Sequence, residues 1–323
     1  MEFNGCFFTG YLLENYRKGA DKLPLRAKFF KIDKVTPRES KLNPSKNEVR
    51  KEIVIQTNSF ENAIKAQKLI FYASILDCAH YPVNGINYGP PRIYPCCNKV
   101  VISKENYEYL GLWEEKTELW DSISEWVELA CRLSYRKKYQ YAIYKYYLGC
   151  YLHSNVPKHL NPYENYNLKL PKFEDDQIRM GLAIVSYYSV IEELGFDLGA
   201  SKDNPSYIKG APNPKLYSAL YKKILKCGVK RVDFNFRGPI TSIEKYLKGR
   251  GRMGTYKKSR YAKSNVRDGS VDLYEAIAII SNIRSSVVAH KTYGKPIKSL
   301  SVYDVSNANH LARTLLLDAL RNS

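Results

Sequence analysis

Leu273-Tyr-Glu-Ala-Ile-Ala-Ile-Ile-Ser-Asn-Ile283 is one of the most apolar helical runs in the chain. Its spacing predicts a core helix, with Ser270 as the N-cap and Asp272 in the first turn. The run leads directly into Arg284-Ser-Ser-Val-Val-Ala-His290, and a second helical run follows from Asn307 to Leu320. The end of the chain is therefore predicted to be a bundle of helices.

Arg284 and His290 form a chemically suggestive pair at the end of this helix. A guanidinium binds phosphate through a planar fork of donors, and an imidazole transfers a proton near neutral pH. The two groups are a minimal set for cutting RNA without a metal. Chance also produces such a spacing in a basic chain, so an exposed pair without a role stays the alternative. The position at the end of a core helix favours the functional interpretation.

The arrangement of Arg284, five residues and His290 resembles the motif of the HEPN superfamily (higher eukaryotes and prokaryotes nucleotide-binding). That motif is an arginine and a histidine separated by four to six residues on a late core helix. The resemblance extends over roughly residues 120 to 323 and implies a HEPN-like helical bundle. It also implies a metal-independent endoribonuclease, of the kind that serves as an antiviral defence or toxin effector. Ser285 departs from the Asn, Asp or His that usually follows the arginine.

The resemblance implies roles for individual residues. The RNA 2′-hydroxyl would attack the adjacent phosphate, Arg284 would neutralise the developing charge, and His290 would donate or accept a proton. Ser285 could hydrogen-bond a phosphate oxygen. Glu192 or Glu193, near the end of an earlier helix, could orient Arg284, and the alternative is a simple surface carboxylate.

The spacing of Arg284 and His290 poses a geometric problem. On a straight helix, six residues place two side chains about 120° apart around the axis and about 9 Å apart along it. One phosphate cannot easily contact both. Either the helix loosens before His290, or two chains pair so that both motifs line one cleft. The HEPN resemblance implies the second solution, a two-fold homodimer with a composite site.

The chain divides by character into residues 1–115 and 116–323. The first region reads as mixed α/β, with a strand over Lys51–Thr57 and a helix over Phe60–Leu76 capped by Asn58 and Ser59. It could sense a trigger or select the target. Residues 81–97 are rich in proline and predict a loop.

The second region reads as mainly α. One long helix is predicted from Trp120 to about His153, another from Glu174 to Gly195 and a shorter one from Asn213 to Cys227. Residues 134–147 interleave Tyr with Lys and Arg. This pattern is compatible with an RNA-facing stripe and with an amphipathic helix that buries the rings.

A net charge of +19 favours a polyanionic partner, and RNA is the partner expected here. Residues 245–267 hold nine Lys or Arg and no acid, and three glycines interrupt the run. The segment predicts either a phosphate-binding loop or a merely solvated one. The predicted nucleic-acid-binding residues within it are Arg250, Arg252, Lys257, Lys258 and Arg260.

Other classes of protein find little support. No C-x-x-C pair occurs, and adjacent Cys96 and Cys97 have a poor spacing for zinc, so neither a metal nor a cofactor is expected. Gly249-Arg-Gly-Arg-Met-Gly254 spells a dinucleotide motif but lacks the preceding strand. The chain has no apolar run of about 18 residues and no secretory leader pattern, so a cytoplasmic protein is expected. A non-catalytic nucleic-acid-binding or dimerisation module that keeps the HEPN fold is the alternative function.

Overall fold

The structure is a computed structural model that describes residues 2–7, 25–39, 49–77, 94–96, 99–101, 123–154, 174–229, 233–239, 256–258, 266–285 and 300–322. The described elements up to Ile143 form one compact unit, here the N-terminal unit, and those from Tyr144 form the C-terminal unit. The division falls within a helix. The boundary expected near residue 115 lies outside the described residues.

Among the described residues, the N-terminal unit contains a six-stranded sheet and the complete helices α1 and α2. Its strands are β1 (Glu2–Phe7), β2 (Leu25–Arg26), β3 (Lys31–Glu39), β4 (Val49–Gln56), β5 (Tyr94–Cys96) and β6 (Lys99–Val101), in the spatial order β2-β3-β4-β1-β6-β5. Of the strand pairs that the structure describes in this sheet, β1–β6 is parallel and the others are antiparallel. The predicted strand over Lys51–Thr57 is confirmed as β4. The loop expected over residues 81–97 is wrong at its end, because Tyr94–Cys96 pairs with β6 in antiparallel register.

Helix α1 (Phe60–Asp77) confirms the helix predicted after β4. Ser59 caps it, since the Ser59 Oγ accepts the backbone N–H of Asn62 at 3.2 Å. Its buried face packs against α2 (Ile123–Tyr135). The buried residues of α1 are Ala66, Leu69, Ile70, Ala73, Ile75 and Leu76.

The long helix predicted from Trp120 to His153 is interrupted. The chain forms α2 and then α3 (Lys137–Ser154), with Arg136 between them. The Ser134 hydroxyl donates to the Cys131 carbonyl at 2.6 Å, and the Gln140 side chain donates to the Ser134 carbonyl at 3.0 Å. Side chains thus occupy backbone acceptors that a continuous helix would use, and this competition accounts for the break.

The C-terminal unit is mostly helical with small sheets. Its elements after α3 are α4 (Glu174–Leu194), β7 (Tyr207–Ile208), β8 (Ala211–Pro212), α5 (Pro214–Lys226), β9 (Asp233–Pro239), β10 (Tyr256–Lys258), β11 (Val266–Asp272), α6 (Leu273–Ile283) and α7 (Val302–Arg321). The core lies where α4, α6 and α7 pack together. Every residue of α6 from Leu273 to Ile280 is buried, which confirms the predicted core helix.

The ends of the helices largely follow the expected residues. The Asn213 side chain accepts the N–H of Lys215 ahead of Pro214, as predicted for the start of α5. Gly195, at φ +78°, ends α4 in a conformation that glycine adopts without strain. The cap of α6 differs from the prediction. Asp272, not Ser270, accepts the N–H of Glu275, at 2.8 Å.

Ser270 cannot cap α6 because β11 continues to Asp272 and the helix begins only at Leu273. A three-stranded antiparallel sheet has the order β10-β11-β9, and Ser270 pairs with Asn235 in β9. Phe234 and Phe236 of β9 are fully buried, and β9 contacts α7. The prediction for this region contained no strand. β10 also places Tyr256–Lys258, within the segment expected to be a loop, in the sheet.

Candidate functional site at Arg284

The structure describes some of the predicted site residues and not others. Arg284 and Ser285 lie at the end of α6, and Glu192 lies in the last turn of α4. The backbones of Lys257 and Lys258 lie in β10. The remaining predicted residues, His290, Arg250, Arg252 and Arg260, lie outside the described residues. Arg284 and its neighbours are therefore the described part of the predicted site.

The α-helical pattern of α6 ends at Ile283, and Arg284 and Ser285 follow in the wider π-helical geometry. The backbone N–H of Arg284 is shared between the carbonyls of Ile280 and Ser281. Such widened turns are rare within helices and occur frequently at functional sites. The departure from regular helix thus begins at the arginine of the motif.

Arg284 forms an ion pair with Glu192, with 2.9 Å between Nη1 and Oε1. Both side chains are 36% exposed, so the pair is neither buried nor fully solvated. The neighbouring Glu193 contacts Lys145 instead, at 2.6 Å. Of the two glutamates considered from the sequence, the structure brings Glu192 to Arg284. Acids in the last turn of a helix oppose the helix dipole, and a nearby cation offsets that cost.

The Arg284 guanidinium lies over the ring of Tyr188. The Arg284 Cζ lies 4.9 Å from the centre of the Tyr188 ring, within the range of a cation–π contact. Tyr188 is 3% exposed, and Ser281 lies beside its hydroxyl. Burial raises the pKa of the Tyr188 hydroxyl above its usual value, which keeps it neutral. Tyr188 and Glu192, four residues apart on α4, therefore act on the same guanidinium.

Sequence reasoning missed Tyr188 and Ser281. A signal for both was present. Tyr188 precedes Glu192 by four residues, which places the two on one helix face, and Ser281 precedes Arg284 by three. The sequence did not show that α4 packs against α6.

The arrangement gives Arg284 a defined chemical capacity. A guanidinium stays protonated at any physiological pH and has five donors in a plane. Here the guanidinium lies over the Tyr188 ring and Nη1 lies beside Glu192, while about a third of the side chain is exposed. An exposed, permanently charged and oriented guanidinium can bind the oxygens of a phosphate.

A buried polar network lies on the other side of α4. The Tyr146 hydroxyl donates to Asn309 Oδ1 at 3.1 Å, and Asn309 Nδ2 donates to the Tyr187 hydroxyl at 2.8 Å. The Tyr187 hydroxyl lies 3.4 Å from His153 Nδ1. Burial lowers the pKa of His153 to about 4, so the imidazole is neutral at neutral pH. This network joins α3, α4 and α7, and the sequence analysis did not identify it.

Residues 134–147, which interleave Tyr with Lys and Arg, include both buried and exposed tyrosine rings. Tyr139 and Tyr146 are buried, as expected of an amphipathic helix. Tyr135, Tyr141 and Tyr144 are exposed by 54%, 53% and 37%. The exposed rings are compatible with an RNA-facing surface.

No family model, curated protein or solved structure matches the chain. Within the described residues, no three His, Cys, Asp or Glu side chains are grouped so that they could hold a metal ion. None of the described helices combines the length and the apolar character needed to cross a membrane.

Proposed function

We propose that this protein is a metal-independent endoribonuclease of the HEPN type. The observation that carries the proposal is the position of Arg284, which directly follows a core helix with its guanidinium over the Tyr188 ring and beside Glu192. A net charge of +19 supports RNA as the substrate, because a polyanion is attracted to such a surface.

The proposed reaction is an internal transesterification. The 2′-hydroxyl attacks the adjacent phosphorus, the bond to the 5′-oxygen breaks, and a 2′,3′-cyclic phosphate forms. Arg284 neutralises charge on the phosphoryl oxygens as the transition state develops. His290 moves the proton to or from the reacting oxygens, and Ser285 hydrogen-bonds a phosphate oxygen. Glu192 orients Arg284.

The proposed site is completed by a second chain. On a straight helix, six residues would separate Arg284 and His290 too widely for one phosphate. The departure from regular helix at Arg284 offers one route around this separation, and the HEPN resemblance favours the other, a dimer. In a two-fold homodimer, the motifs of both chains line one cleft. Residues 1–115 then sense a trigger or select the RNA, as expected of a cytoplasmic antiviral defence or toxin effector.

Substitution of the two motif residues tests the proposal. Arg284→Ala and His290→Ala are each expected to abolish RNA cleavage and any toxicity on expression, while the dimer and its thermal stability persist. Arg321→Ala, an exposed arginine at the end of α7, serves as the control and should cleave normally. Cleavage should continue in excess EDTA and should leave 2′,3′-cyclic phosphate ends. Cleavage that survives both substitutions, or that stops with chelator, would contradict the proposal.

The second candidate is a non-catalytic nucleic-acid-binding or dimerisation module with the same fold. Ser285, exposed where the HEPN family usually has Asn, Asp or His, favours this candidate. Retention of RNA binding by the wild-type chain without any cleavage product, across several RNAs, would select it over the nuclease.

A further inference from the structure

We propose that Tyr188 is a positioning residue for Arg284, whose guanidinium it holds over its ring. This inference rests on the proposed function and adds one residue to the site. It explains why a buried tyrosine lies within 4.9 Å of the charged group of Arg284.

The ring itself is well fixed. Tyr188 is 3% exposed, so neighbouring atoms enclose its ring almost completely. The adjacent Tyr187 is fully buried and accepts a hydrogen bond from Asn309, which ties the same turn of α4 to α7. The surface against which the guanidinium lies is therefore rigid.

Glu192 alone does not restrain Arg284 in this way. Its side chain is 36% exposed, and water competes strongly for ion pairs at such positions. An ion pair through one nitrogen also leaves the guanidinium plane free to rotate about that contact. The Tyr188 ring restricts this rotation, because the plane must stay against the ring face.

The restraint is expected to act on the chemical step. A misplaced guanidinium still attracts RNA by its charge, but it no longer meets the phosphoryl oxygens in the transition state. Loss of the ring should therefore lower kcat by roughly 10- to 100-fold and leave KM nearly unchanged. Tyr188→Phe keeps the ring face, so it should retain kcat within about threefold.

The decisive experiment measures the side chain of Arg284 directly. In ¹⁵N-labelled full-length protein, NMR of the arginine Nε–Hε groups reports how far each guanidinium is restrained, and Arg284→Lys identifies the signal. We expect a restrained Arg284 in the wild type and in Tyr188→Phe, which keeps the ring, and a freely rotating one in Tyr188→Leu, which lacks it. An Arg284 signal that is equally restrained in Tyr188→Leu overturns the proposal.

Two further measurements separate this inference from the proposed function. If the wild type cleaves no RNA but Arg284 still depends on Tyr188 in the NMR experiment, the nuclease fails and the positioning role stands. Arg284→Lys keeps the charge but has no planar face to lie on the ring, so it should not restore kcat. A lysine variant with wild-type kcat overturns the positioning role without relying on a substitution in the core.

Discussion

Glu192 and Arg284 form an ion pair at 2.9 Å between the last turn of α4 and the widened end of α6. The next residue, Glu193, pairs with Lys145 on α3 at 2.6 Å. Two adjacent acids of similar exposure thus hold different partners. This offers a comparison in which the chemical change is identical and only the partner differs.

Glu192→Gln should lower RNA cleavage, whereas Glu193→Gln should leave it near the wild-type rate. The reason is that only Glu192 touches the proposed catalytic arginine. Each substitution should change the free energy of unfolding by less than about 1 kcal/mol, because partly exposed ion pairs contribute little. Urea unfolding and single-turnover cleavage measure the two effects. Equal losses of cleavage in both variants would show that Glu192 has no particular role.

Gly149→Ala should destabilise the protein by roughly 1–3 kcal/mol, although alanine favours helix more than glycine by about 1 kcal/mol. An added Cβ would lie 2.7 Å from Tyr187 Cδ1 and Cε1. The Tyr187 ring cannot move aside easily, since it is fully buried and its hydroxyl accepts a hydrogen bond from Asn309.

The neighbouring Leu148→Ala is the control for this substitution, because Leu148 is 49% exposed. Leu148→Ala should lower the free energy of unfolding by less than about 1 kcal/mol in the same urea titration. A Gly149→Ala variant as stable as the wild type would mean that α3 and α4 can separate slightly at this point.

His153 should make stability depend on pH between about 6.5 and about 4. Burial depresses its pKa in the folded protein, so in this range the unfolded chain binds a proton that the folded chain does not. The contribution of His153 to the free energy of unfolding is constant above pH 6.5. It falls as the pH drops from 6.5 towards 4, and it changes no further below pH 4. The free energies of unfolding of wild type and His153→Gln, measured in urea at several pH values, should converge or cross as the pH falls. Parallel curves would show that His153 keeps an ordinary pKa.

RNA affinity should fall steeply with salt, because binding releases counterions from the phosphates. Neutralising the basic segment to Gln should reduce the slope of log affinity against log salt by about 0.7 for each phosphate that the protein no longer neutralises. The substituted residues are Arg250, Arg252, Lys257, Lys258 and Arg260.

A control variant removes the same charge elsewhere. Its substitutions fall on five exposed lysines, Lys202, Lys215, Lys222, Lys223 and Lys226. The control should keep a slope near that of the wild type. Equal slopes in the two variants would mean that the basic segment does not bind the phosphates and that net charge alone attracts the RNA.

Local patterns in the sequence determined much of the helical structure. The runs over Phe60–Leu76, Glu174–Gly195 and Asn213–Cys227 correspond to α1, α4 and α5 within a few residues. Apolar periodicity, a capping side chain and a terminal glycine act over a few neighbouring residues, so they can be read without the fold. Arg284 was likewise recognisable from its position at the end of a core helix.

The missed elements depend on partners that are distant in the chain. Ser270 has the chemistry of a cap, yet its backbone pairs with Asn235, and Asp272 caps α6 instead. The alternation of Phe234 and Phe236 was a weak strand signal, because the apolar pattern in β9 is short. Sheet pairing is decided by segments that meet only in the fold.

The sequence by itself determined that Arg284 ends a buried helix and that two candidate acids, Glu192 and Glu193, end another. Only the tertiary structure decided that Glu192 meets Arg284 and that Tyr188 lies under its guanidinium. The reason is physical. Helix ends and faces follow from neighbours along the chain, whereas the choice among adjacent side chains depends on how two helices are rotated and packed against each other.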